Sequence, residues 1–210
     1  LGQVSLSSLT TGARNTATGY GALQVLTTAC NNTASGYRAA RCTTTGNNNS
    51  AFGKEALLLN TTGACNTASG AYALDANTTG SGQTAFGYAS LTSTTTGQQN
   101  VAVGGYSAGA TTTGCCNVAM GYISLRCNTT GCLNTALGHA ALKCNTTANL
   151  NTAVGNAALQ ENTTGCQNTA GGNSALNKNT TGCRNASFGA NSLAENTTGN
   201  YNTASGYRAL

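Results

Sequence analysis

Proline and tryptophan are absent from this 210-residue chain, and only 6% of its residues are charged. An ordinary soluble domain devotes about a quarter of its residues to charge. One histidine and four acids leave little material for acid–base chemistry. No apolar run approaches the roughly 20 residues of a membrane-spanning helix, so membrane insertion is not expected. Neither a signal peptide nor an initiator methionine is visible, and the chain is expected to be mature, cut or partial. Sparse charge and few aromatics would also suit a disordered tract. Disorder needs no fixed spacing, however, and here the spacing is fixed.

Glycine, asparagine, threonine and alanine fill the space that charge leaves. Glycines stand at 2, 19, 36, 53, 70, 87, 104, 121, 138, 155, 172, 189 and 206, every 17 residues without a slip. A second series runs through Gly12, Gly46, Gly63, Gly80, Gly97, Gly114, Gly131, Gly165, Gly182 and Gly199, with Ala29 and Ala148 in its gaps. Together the two series hold 23 of the 28 glycines. The repeat reads x-x-N-T-T-G-x-x-N-T-A-x-G-x-x-A-L over 1–210, one array with no linker and no distinct caps.

Seventeen residues are too few for two helices and a turn. Two glycines per copy would also cost about 1 kcal/mol each in a helix interior. Short extended runs punctuated by glycine predict an all-β chain: a parallel β-solenoid of about twelve coils, one repeat per coil. Like residues then stack at about 4.8 Å, giving a rod roughly 55–60 Å long. Alternation within N-T-A-x-G places Asn, Ala and Gly on one face and Thr and x on the other. An Ala/Gly interior with one Leu per coil is a thin core. Backbone ladders and stacked Asn and Thr must then supply much of the cohesion. The x column swaps Ser for Phe52, Phe86, Val103, Met120, Leu137, Val154 and Phe188. Two readings stand: a lateral interface with a groove or neighbouring chain, or an irregular core wall.

The lines "NTAVGNAAL" (151–159) and "NTASGYRAL" (202–210), with intervening "NTTG", resemble the repeats of bacterial and phage fibre proteins. They are similar, more distantly, to the head repeats of trimeric autotransporter adhesins. The resemblance covers the whole chain. It implies a stacked β-roll, often a homotrimer, on an extracellular fibre.

The ten cysteines keep to columns. Residues 17 apart stack within the separation a disulfide tolerates, which nominates Cys115–Cys132, Cys166–Cys183 and Cys127–Cys144 as bonds between coils. Cys30 with Cys42 is a looser pair. Cys65 and Cys116 lie three coils apart and are candidates for interchain bonds. The alternative is that the cysteines are small buried hydrophobes. With no C-x-x-C and a lone His139, no metal site is expected. Asn-X-Ser/Thr occurs in one column at Asn60, Asn77, Asn128, Asn145, Asn162, Asn179 and Asn196, and also at Asn31, Asn48 and Asn185. These are candidate N-glycosylation sites, or an asparagine ladder that happens to spell the signal.

Glu55, Asp75, Glu161 and Glu195 fall in different coils, so no carboxylate pair forms. "GNNNSAFGK" (46–54) has six residues between its glycines where a phosphate loop needs four. No enzyme and no cofactor are expected. Nine basic residues against four acids, with Tyr20, Tyr37, Tyr88, Tyr122 and Tyr207 in one column, are too sparse for a nucleic-acid footprint. They suit a sticky lateral face or glycan contacts. Two functions remain. One is a structural subunit of an extracellular, cell-surface or virion-surface fibre, joining copies of itself end to end or laterally. The other is a surface-binding module, adhesin or ice binder, displaying Thr and Asn ladders. Since adjacent threonines point to opposite faces, an ice face would need Asn for its second outward column. A terminal coil exposes unpaired backbone groups, and Leu1 and Leu210 bring no plug. Both ends are therefore expected to abut further β-coils.

Overall fold

Every coil takes its direction from the triplet after the second asparagine. In the computed structural model, which describes residues 2–210, these triplets form twelve three-residue strands. They run from β1 (Thr16–Thr18) to β12 (Thr203–Ser205), one every 17 residues. Strand order equals sequence order, every pairing is parallel, and like positions face each other, as in Thr16↔Thr33 and Ala17↔Ala34. The described residues contain no helix. The chain is thus the parallel β-solenoid that the spacing predicts. The turns are laddered too, as where Leu57 N–H donates to Ala73 O at 2.9 Å and Thr61 N–H to Thr78 O at 2.9 Å.

The central residue of each strand, Ala in eleven and Ser187 in β11, points inward and is buried, and away from the terminal coils so are the Ala-Leu pair and the Asn before the strand. The Thr and x positions point outward, so alternation assigned this face correctly. A core of Ala and single Leu side chains buries little apolar area, at about 25 cal/mol per Å². Two asparagine ladders make up part of the difference. In the first, Asn117 N–H donates to Asn100 Oδ1 at 3.0 Å and Asn134 N–H to Asn117 Oδ1 at 3.0 Å. In the second, Asn145 Nδ2 donates to Asn128 Oδ1 at 2.9 Å and Asn162 Nδ2 to Asn145 Oδ1 at 3.0 Å. The ladders converge on one carbonyl per coil, for example Gly165 O, which accepts from Asn151 and Asn162 at 2.9 Å each.

The unvarying glycine has two reasons to be glycine. From Gly19 to Gly206 its φ lies between 120° and 143°, a region that side chains with a Cβ rarely enter. From Gly19 to Gly189 a Cβ would also come within 3.0 Å of the next coil's glycine carbonyl. The other glycine column has the same crowding against the next coil's carbonyl, as at Gly165 against Gly182 O, but lacks the positive φ, and Ala29 and Ala148 stand in it. Three further columns hold non-glycine residues in the left-handed region, among them the buried Leu57 (φ 56°) and Leu159 (φ 49°).

Candidate interaction surfaces

Because the strand has three residues, its outer surface carries two columns. The Thr column is mostly half-buried, and the x column stands proud. Phe52, Phe86, Val103, Met120, Val154 and Phe188 are 37–49% exposed, and Leu137 is half-buried. This column is therefore not a core wall. Val101 and Val118 lie beside Val103 and Met120, so the strip from Phe86 to Val154 is continuously apolar over five coils. Elsewhere large and small residues alternate: Ser35, Phe52, Ser69, Phe86, then Gly171 and Phe188.

The cysteines stand as thiols. No disulfide is formed, which corrects the expectation of crosslinked coils. Two of the three vertical pairs are nonetheless in contact: Cys115 and Cys132 Sγ lie 2.9 Å apart, and Cys166 and Cys183 Sγ 3.1 Å apart. Cys127 and Cys144 are both half-buried, and burial, followed by the nearness of Cys127, raises the Cys144 thiol above its ordinary value. The hydrogen bond to Cys132 and then burial push the Cys115 thiol up to about 12, which keeps it protonated at neutral pH. Cys30 and Cys42 are half-buried and not joined, Cys30 Sγ accepting instead from Ala13 N at 3.4 Å; Cys65 is exposed, and Cys116 Sγ rests 3.5 Å from Gln99 Oε1.

The column after the looser glycine has a role that sequence reasoning missed. Its side chains accept the backbone N–H of the preceding coil's equivalent residue. Cys132 Sγ accepts from Cys115 N at 3.1 Å, Asn149 Oδ1 from Cys132 N at 2.6 Å and Ser81 Oγ from Ala64 N at 3.0 Å. Cysteine here is one of several interchangeable acceptors. The available signal was the column's restriction to small or polar residues.

The main sequon column is interior. Asn60, Asn77, Asn128, Asn145, Asn162 and Asn179 have no exposed surface. In Asn77, Asn145, Asn162 and Asn179 both Nδ2 hydrogens are engaged, one by the preceding coil and one by the turn carbonyl. A sugar would replace one of those hydrogens and has no room, so the asparagine-ladder reading holds for these residues. Asn185 is likewise buried, Asn196 is half-buried with its Nδ2 bonded to Asn179 and Gly199, and only Asn31 and Asn48 are exposed. Burial of the Asn ladders also removes the second outward column that an ice face of Thr and Asn would require. The first Thr of each N-T-T turns its hydroxyl to the next coil, as Thr61 Oγ1 to Thr78 O at 3.0 Å, while the second is exposed.

Just past the glycine turn runs an aromatic ridge. Tyr72, Tyr88, Tyr106, Tyr122 and His139 form an unbroken series with ring centroids 5.2–6.3 Å apart, edge-to-face except for the last pair. Tyr20 and Tyr37 stack at 5.6 Å. Lys54 lies over Tyr72 at 5.0 Å and Arg126 over Tyr106 at 5.2 Å. Among the described residues no three His, Cys, Asp or Glu side chains gather where a metal ion could be held. The Asp75 carboxyl has a raised pKa, chiefly because burial penalises its charge, although Thr92 Oγ1 donates to it at 2.6 Å. Among the described residues no helix is long and apolar enough to cross a membrane. No known protein family, curated protein or solved structure matches the chain.

Proposed function

We propose that the chain is a structural subunit of an extracellular fibre, a repetitive rod that packs laterally against copies of itself. The observation that carries this reading is the outward column of Phe, Val and Met on an in-register parallel sheet. Large exposed apolar patches mark interaction sites. A partner with the same coil spacing meets this one rung for rung, and no other surface shares that spacing by default. The alternation of Phe52 and Phe86 with Ser35 and Ser69 adds a fit: a copy shifted by one coil seats its rings over the small residues.

The repeat supplies a mild perturbation. Serine already occupies the x column at 35, 69 and 205, so Phe52→Ser, Phe86→Ser and Phe188→Ser together should leave the coil intact. Sedimentation velocity should show an oligomer for the parent chain and a monomer for the triple variant. A parent chain that sediments as a monomer at all concentrations would remove the basis for lateral assembly.

A further inference from the structure

Beside the aromatic ridge lies a groove of about 480 Å³ lined by Thr92, Ser93, Tyr106, Gly109, Ala110, Arg126, Cys127 and Lys143. Its origin is local. Where neighbouring coils carry Thr92 and Ser93 or Arg126 and Cys127, this coil carries Gly109 and Ala110, and its inward Leu is reduced to Ala108. The dip thus has an aromatic wall, two hydroxyls on one side and two cations, in adjacent coils, on the other. No carboxylate lines it; the nearest in that column, Asp75, is turned to Thr92 one coil beyond.

We propose that this groove and the adjoining ridge bind an anionic saccharide, with Arg126 and Lys143 taking its carboxylate or sulfate. The apolar face of a pyranose ring packs on an aromatic ring, and its hydroxyls pair with Thr, Ser and Tyr hydroxyls. Tyr88 and Tyr122 are exposed and two coils apart, about 9–10 Å by the strand spacing, which is comparable to the length of a disaccharide. Gly105 stands between them in their column, so Tyr106 fills the gap from the neighbouring column. The volume falls within the roughly 300–1,000 Å³ range of small-molecule sites. Nucleic acid fits less well. Phosphate recognition draws on runs of cations, of the order of 6–10 contacts in a strongly salt-dependent complex, whereas two cations line this groove.

The test uses the whole chain, titrated calorimetrically and by tyrosine fluorescence. The probes are a hexasaccharide of alternating glucuronate and N-acetylglucosamine, neutral cellohexaose, and a thymidine hexanucleotide. The acidic hexasaccharide should bind at least tenfold more tightly than either other probe. Arg126→Gln with Lys143→Gln should weaken it at least tenfold, as should Gly109→Leu, which fills the groove. All three changes use residues already present in that column, at Gln24, Leu58 and Gln160, so melting temperatures should hold. Equal affinity for the neutral sugar, tighter binding of the oligonucleotide, unchanged affinity in the variants, or no binding at millimolar probe would each overturn the proposal. Because Phe52, Phe86 and Phe188 lie on the strand face, the triple serine variant should bind the hexasaccharide like the parent, separating this site from self-association.

Discussion

The inner asparagine ladder is interrupted, and mending it should stabilise the rod. Asn77 Nδ2 donates to Asn60 Oδ1 at 2.8 Å and Gly80 O at 3.0 Å, but its own Oδ1 has no donor. The next two coils place Thr94 and Thr111 in the column, and the hydroxyls of both lack a partner. The ladder resumes at Asn128, whose Nδ2 reaches only Gly131 O. In Thr94→Asn with Thr111→Asn, two amides of nearly the same volume as threonine would bridge the gap. They would complete the column at Asn77 and Asn128 and supply second donors to Gly97 O and Gly114 O. That adds five hydrogen bonds, each contributing about 0.5–1.5 kcal/mol net. Setting aside part of this for the ordering of two longer side chains leaves about 3 kcal/mol, or roughly 6–12 °C in Tm for a chain of this size. Differential scanning calorimetry reads this directly. The reverse change, Asn145→Thr, removes its bonds to Asn128, Ala148 and Asn162 and should lower stability by about 2–3 kcal/mol. A double variant that melts no higher than the parent would refute the assignment of cohesion to the ladder.

Gly138→Ala should destabilise by at least about 2–3 kcal/mol, since it combines a φ of 133° with a clash against Gly155 O. Gly165→Ala meets a similar clash against Gly182 O but no positive φ, in a column where Ala148 already stands, and should cost less; equal losses in chemical denaturation would contradict the weight given to φ. Glutathione disulfide should oxidise Cys115–Cys132 and Cys166–Cys183 in the folded chain, passing two electrons and two protons per bond to glutathione. Peptide mapping should find these pairings, and each closed 17-residue loop should add about 3 kcal/mol; scrambled pairings would count against the observed register. Asp75 has a native pKa above its ordinary 3.8, so the folded chain holds its proton more tightly than the unfolded chain. Stability should therefore fall as pH rises from about 3.8 through the raised native value, and Asp75→Asn should abolish that part of the pH profile. A decline that persists unchanged in the variant would assign it elsewhere.

The 17-residue period was legible because a solenoid must return to the same place each turn, and any insertion would break the ladder. Alternation then grouped Ala17 and its equivalents with the interior and Phe52 and its equivalents with Thr, but whether the Phe52 column formed an outer face or a core wall was decided only by the exposure of its side chains. What alternation could not reach were the turns. Asn60 and Asn31 both spell a glycosylation signal, yet one is internal and the other exposed. The difference depends on left-handed residues such as Leu57 and Asn31, with φ values of 56° and 61°, the first of which its own identity disfavours. Laddering with the coils above and below imposes that conformation, and a single repeat read alone does not contain it. The groove beside Tyr106 was missed for a related reason: it arises from small residues in one coil against large ones in its neighbours.

Electron microscopy of the purified chain tests the central claim, that this is a self-associating rod, most directly. The account predicts rods of about 55–60 Å per chain lying side by side with their coils aligned rung to rung, with bundles lost in the triple serine variant. Single rods that never pair, at any concentration, would contradict it.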